Sequence, residues 1–107
     1  MKTIWLIDID GTVCEDIPNE EAERFWTAEP LPGALDKVRG LYDRGDRVTF
    51  FTSRTSAHAK ATEHWLDKHG FPYESVCYNK PRITEGEVYH WVDNKDVLAT
   101  HMPEGLK

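Results

Sequence analysis

Ile4-Trp5-Leu6-Ile7-Asp8-Ile9-Asp10-Gly11-Thr12 is the stretch on which the reading of this chain turns. Ile4 to Ile9 is apolar on both alternations, the pattern of a strand buried on both faces, as in a parallel sheet covered by helices. Asp8 cuts the opening apolar run at four residues, short of the ~7–15 that a signal-peptide core needs, so the run is expected to be a strand. Asp8 and Asp10 lie two apart and point the same way on a regular strand, and Gly11 lets the backbone turn sharply just after them. Taken alone, Asp10-Gly11 between apolar residues also reads as a hairpin turn. The rest of the chain weighs against that reading.

Outward from this strand the periodicity alternates. Residues 15–29 hold Glu15, Asp16, Glu20, Glu21, Glu23 and Glu29 around the apolar anchors Phe25 and Trp26, and read as a loop with a short helix. Pro32-Gly33 opens a helix that carries Ala34, Leu35, Val38, Leu41 and Tyr42 on one face, with Gly45 placed to close it. Val48 to Phe51 is a second strand. Ser56 to His69 is a second helix with Ala57, Ala61, Trp65 and Leu66 on one face, ended by Gly70 with Pro72 beyond. Val76-Cys77-Tyr78 is a third strand, and after Gly86 a fourth runs from Val88 to Val92 and ends at Asp93. This order predicts an α/β, Rossmann-like domain over 1–107, with a mainly parallel sheet of strand order 4-1-2-3, flanked by helices through right-handed crossovers.

A length of 107 residues leaves room for one core. With 39% hydrophobic and 11% aromatic residues the chain is too apolar for disorder, and it has no apolar run long enough to span a bilayer. The net charge of −6 argues against a broad basic face tracking nucleic-acid phosphates. Cys14 and Cys77 are far apart and outside any Cys-x-x-Cys spacing, so two free thiols in a reducing cytoplasm are expected. His58, His64 and His69 are not spaced as an i, i+4 metal pair and are read as surface or helix-end residues; Trp5, Trp26 and Trp65 are read as core or core-edge aromatics.

In open parallel sheets, ligands bind beyond the carboxyl ends of the strands. Strand 1 ends in Asp8 and Asp10, strand 2 in Thr52-Ser53-Arg54, strand 3 is followed by Lys80, and strand 4 ends in Asp93-Asn94. Two carboxylates ~4 Å apart repel by about 4 kcal/mol at an effective dielectric near 20, and Asp93 adds to the crowding. A bound cation relieves it, and all-oxygen ligands favour Mg²⁺. Singly, Thr52 reads as a helix cap, Lys80 as a surface lysine, and Asp93 or Asp96 as a turn residue. Together they fall in order along the chain, each at a strand end. Arg54 and Arg82 each follow a motif residue and, with Ser53, are candidates for contacting the substrate.

The ordered set Asp8-Ile9-Asp10-Gly11-Thr12, Thr52, Lys80 and Asp93 resembles the four motifs of the haloacid dehalogenase superfamily of phosphohydrolases, and the likeness runs from about Ile4 to Asp96. The resemblance implies that Asp8 is a nucleophile forming an aspartyl-phosphate and Asp10 the general acid and base. It implies further that Thr52 hydrogen-bonds the phosphoryl group, that Lys80 neutralises its charge while orienting Asp8, and that Asp8, the backbone carbonyl of Asp10 and Asp93 hold Mg²⁺. Dehalogenases of this family lack the second aspartate, so Asp10 points to phosphoryl transfer. Asn94 stands where a second acid often follows Asp93, with Asp96 the next candidate to support the metal. Residues 13–31 are too few for a cap domain, so the chain is similar to the small capless members, and its Lys80-Pro81-Arg82 and 89–93 segments resemble phosphatases of surface-polysaccharide synthesis.

The expected activity is therefore Mg²⁺-dependent hydrolysis of a phosphomonoester. The expected partner is a small phosphorylated molecule rather than a macromolecule, with neither membrane nor nucleic acid involved. Two other readings stand beside it. A receiver-like phospho-switch uses a similar pocket, but its accepting aspartate follows a central strand, and no aspartate follows strand 2 or strand 3 here. A catalytically inactive binding member of the same fold is separated by a phosphatase assay.

Overall fold

The computed structural model describes residues 2–106; Met1 and Lys107, the ends of the expected domain, lie outside the described residues. Strands form where apolar and β-branched residues run together: β1 is Ile4–Ile7, β2 is Arg47–Phe51 and β3 is Ser75–Cys77. Helix α1 (Ala34–Asp43) joins the first two strands and α2 (Ala59–Lys68) the second pair, the latter entered through a 3-10 turn at Ser56–His58. The acidic segment forms a 3-10 stretch at Asn19–Trp26. The sheet has the order β1-β2-β3 and both pairings are parallel, with Ile7 opposite Phe50 and Phe50 opposite Val76.

Consecutive parallel strands joined through helices put both helices on one face of the sheet when the crossovers have the usual right hand. Burial follows that arrangement. Ile7, Val48 and Phe50 are buried with Val38 of α1 and with Trp65 and Leu66 of α2, while Trp5 and Val76 pack against this core. Trp65 has no exposed surface, stacks on Phe71 and donates its indole N–H to Ala28 O at 2.8 Å, tying the segment just after the 3-10 stretch to α2. Asp46, just ahead of β2, binds the start of β1: its carboxylate accepts from Thr3 N (3.2 Å) and Trp5 Nε1 (2.9 Å), and from Arg44 Nε at 2.8 Å. These bonds, Trp5 foremost, hold its carboxyl down at about 2.

Two expectations are corrected. β1 is buried on one face only, since Ile4 and Leu6 on the other are 52% and 46% exposed. Residues 88–92 form no strand. From Pro81 to Glu104 every residue is exposed and none is in a helix or strand. Trp91 turns onto the ring of Phe51, at 6.3 Å between centroids, so this segment is drawn onto β2's open face while β1's outer edge stays unpaired and the order is 1-2-3 rather than 4-1-2-3. Both cysteines are free, as expected. Among the described residues no helix is long and apolar enough to cross a membrane.

Candidate active site

The chain leaves β1 into a tight loop. Ile9 is fully buried and its carbonyl accepts from both Thr12 N (3.0 Å) and Val13 N (2.9 Å). Gly11, at φ 80°, occupies the left-handed conformation that this reversal requires. The segment then runs on into the acidic stretch, with Cys14 bridged to Pro30, so it is not a hairpin. Asp8 Oδ1 accepts from Ile9 N at 2.9 Å and meets Lys80 Nζ at 3.3 Å, with the Asp8 side chain 39% exposed. Burial raises the Asp8 carboxyl above its usual range; the Lys80 ammonium pulls the other way without cancelling it.

Lys80 is placed by the main chain. Thr52 N donates to Cys77 O, Lys80 N to Thr52 O and Asn79 N to Arg54 O, all at 2.9 Å. Asn79 takes a left-handed φ of 65°, which its short polar side chain tolerates, and so turns the chain back toward β2. The ammonium sits 5.4 Å from the ring centroids of both Phe51 and Tyr89. Thr52 is fully buried, its Oγ1 accepting from Arg54 N at 3.1 Å. Ser53 is half-buried, and its carbonyl accepts from Asn19 Nδ2 at 3.2 Å.

Arg54 is not at the open edge, which corrects its reading as a substrate contact. Its side chain has no exposed surface and forks onto Asp10, Nε to Oδ2 at 2.9 Å and Nη2 to Oδ1 at 2.7 Å. A third bond goes to Thr62 Oγ1 at 3.1 Å, and the guanidinium lies 3.8 Å from the centroid of Phe25. A planar cation with five donors suits this combination of bidentate carboxylate and ring face. Cys14 is buried beside them with its thiol pushed up to about 12, by burial first and by Asp10 next.

The structure thus brings Asp8, Asp10, Thr52 and Lys80 to one edge of the sheet and leaves Arg82, Asp93, Asn94 and Asp96 outside. Arg82 is on the surface, paired with Glu20 at 3.1 Å. Asp93 is exposed, bonded to Trp91 Nε1 (3.2 Å) and Lys95 N (3.1 Å), which together lower its carboxyl, and Asn94 and Asp96 are exposed beside it. Among the described residues no three acidic, histidine or cysteine side chains come together to hold a metal. An open groove of about 280 Å³ lies at the start of α1, lined by Leu31, Gly33, Asp36, His69 and Phe71 among others, and none of Asp8, Thr52 or Lys80 contributes to it. Sequence reasoning missed Tyr89 at Lys80 and the inward turn of Arg54. The Thr52-Ser53-Arg54 run was visible; that its arginine meets Asp10 and Phe25 emerges only from folding.

Comparison with known proteins adds independent findings. The family model described as PITM 1-3, LNS2 domain matches residues 5–102. A "Putative 5'(3')-deoxyribonucleotidase" of Chlorobaculum tepidum is 32% identical over 92 residues, covering 80% of this chain and 46% of that protein. The chain thus spans less than half the length of this relative. A crystal structure from Vibrio cholerae superimposes with a TM-score of 0.66 at 20% identity, over 89% of this chain and 82% of the other. A chain of a Pnkp1/Rnl/Hen1 complex gives 0.65 at 19%, over 77% of this chain and 30% of that one. These two structures are alike in fold.

Proposed function

Because the chain belongs to the family described as PITM 1-3, LNS2 domain, within the haloacid dehalogenase superfamily, we propose that it is a phosphomonoester hydrolase working through Asp8. The observation that carries this reading is the 3.3 Å approach of the Lys80 ammonium to Asp8 Oδ1 at the carboxyl edge of the sheet. It sets a partly exposed carboxylate beside a fixed positive charge. Phosphoryl transfer needs both, a nucleophile and a cation for the charge on the equatorial oxygens.

In this reading an Asp8 oxygen attacks phosphorus while the ester P–O bond breaks, its electron pair leaving on the substrate oxygen, which takes a proton. Water then attacks the phosphorylated Asp8, releasing inorganic phosphate and restoring the carboxylate. Asp10 is the acid of the first step and the base of the second. Arg54 takes one lone pair on each Asp10 oxygen, and the other lone pair on each remains to hold a proton. Thr52 and Ser53 supply hydrogen bonds to the phosphoryl group. Mg²⁺ remains part of the proposal as the ion shared by Asp8, Asp10 and Asp93. As they stand the Asp8 carboxylate, the Asp10 backbone carbonyl and Asp93 do not close on one ion, because Asp93 stands on the exposed segment, bonded to Trp91 and Lys95.

A small phosphomonoester is the proposed substrate class, in the cytoplasm, where free thiols such as Cys14 and Cys77 persist. The name of the Chlorobaculum relative puts 5'- and 3'-deoxyribonucleotides at the head of the panel. The test is phosphate release from that panel by the purified chain, with Mg²⁺ and with excess chelator. Release is expected in Mg²⁺ and expected to be lost in Asp8→Asn; an untouched panel under both conditions would sink the reading. The hold of Arg54 on Asp10 favours a second reading, a phosphate-binding member without turnover, which binding in the absence of any release would select.

A further inference from the structure

The chemistry proposed for Asp8 and Asp10 requires a loop that keeps its shape, and that loop is held from two sides. Inside, Ile9 O accepts from Thr12 and Val13, and Val13 O accepts from Leu31 N at 2.9 Å. Outside, Thr12 O accepts from Leu106 N at 2.8 Å. The Leu106 side chain packs against the hydrophobic core, so this bond is part of a docked segment.

Gly105, just before it, is buried at φ 92° and its N–H closes a turn onto Met102 O at 3.0 Å. A Cβ at Gly105 would collide with Leu31 Cδ1 and come within 3.2 Å of Gly11 O and 3.3 Å of Thr12 O. A methyl fits there only if Leu31 Cδ1 turns away and the loop carbonyls give by a few tenths of an ångström, at a φ that strains any L side chain. The geometry points to Gly105 and Leu106 as positioning residues that strap the Asp10-Gly11-Thr12 turn from outside, an inference resting on the reading of Asp8 and Asp10 as the reacting groups. Lifting the strap leaves Thr12 O without its partner and frees Gly11 to change conformation, so the Asp10 backbone shifts while its carboxylate stays on Arg54, and the carboxylate loses its aim at the reacting oxygen. Asp8 keeps its own bonds to Ile9 N and Lys80. The loss therefore falls on the proton-transfer steps.

The test compares the full chain with Gly105→Ala, Leu106→Ala and the pair Gly105→Ala, Leu31→Val, which removes the atom that the new methyl would strike. In both single variants the Thr12 and Val13 amides are expected to exchange at least ~10-fold faster, with α2 amides unchanged. The kcat for an alkyl phosphate is expected to fall at least ~10-fold with KM within about twofold, as a small misplacement of a reacting group would cause. Leu31→Val should recover part of both losses in Gly105→Ala. If Gly105→Ala does not fold, Leu106→Ala carries both readouts. Wild-type exchange at Thr12 and Val13 in the single variants overturns the inference, and so does faster exchange with kcat unchanged. Should wild type hydrolyse no ester, the reading of Asp8 fails separately and the exchange data alone decide whether the strap holds the loop.

Discussion

Asp8 is destabilised as a carboxylate by its own burial, and Lys80 offsets only part of that. Its folded pKa lies above the unfolded value, so between the two the folded chain binds more protons and stability falls as pH rises through that window. Asp8→Asn is therefore expected to raise the melting temperature at pH 7, with the gain vanishing below the ordinary value of 3.8, while phosphate release is lost. A lower melting temperature at pH 7 would show that the ion pair with Lys80 outweighs the burial. Arg54 behaves oppositely. Removing one partner of a buried pair strands the other, so Arg54→Met is expected to lose about 3–5 kcal/mol in denaturant unfolding, and Arg54→Lys to recover little because an ammonium cannot fork onto both Asp10 oxygens. Full stability in Arg54→Lys would mean that the bidentate geometry is dispensable.

The elements depend on ties that are sparse at this size, and Asp46 is one, joining the head of β1 to the head of β2. Its carboxyl is lowered from 3.8 to about 2, so its contribution is present above pH 4 and lost as pH falls through about 2. Asp46→Asn should destabilise the protein at pH 7 and converge on wild type as pH falls from 4 toward 2; a difference constant with pH would assign the effect to packing. Apolar runs and Gly punctuation were enough to locate β2, α1 and β3 to within a residue or two, and α2 to within three because a 3-10 turn at Ser56–His58 precedes it, since those elements are set by local pattern and by a core face. They were not enough for residues 88–92. The Val88 and Val92 pattern is that of a strand, yet both side chains stay 86% and 88% exposed with no core face to bury, and Trp91 meets Phe51 while β1's free edge stays unpaired. Asp8 and Lys80 were legible for the same reason as the strands, each following an apolar run. Arg54 was not, since an arginine is buried only when partners from other elements close on it, here Asp10, Phe25 and Thr62.

At the scale of the molecule, one sheet face is covered by both helices while the stretch from Pro81 to Glu104 lies exposed without regular structure. Backbone there has few partners to lose, so limited trypsin digestion should cut first after Arg82 or Lys95, leaving the portion through Lys80-Pro81 intact. Earlier cuts at Arg39, Arg44 or Lys68 would contradict this. The parallel register has a kinetic consequence. Asp8, Thr52 and Lys80 sit at the ends of three different strands, and each strand meets its neighbour only after an entire helical crossover has closed. Local contacts cannot assemble such a constellation early, since the entropy of long loop closure comes before the reward of pairing. A chain halted with β1 and β2 joined would carry Asp8 but no ammonium beside it. Phosphate release, the activity proposed for this site, would then be a clock for the final pairing, and in refolding its recovery should keep step with the slowest phase and never run ahead of it.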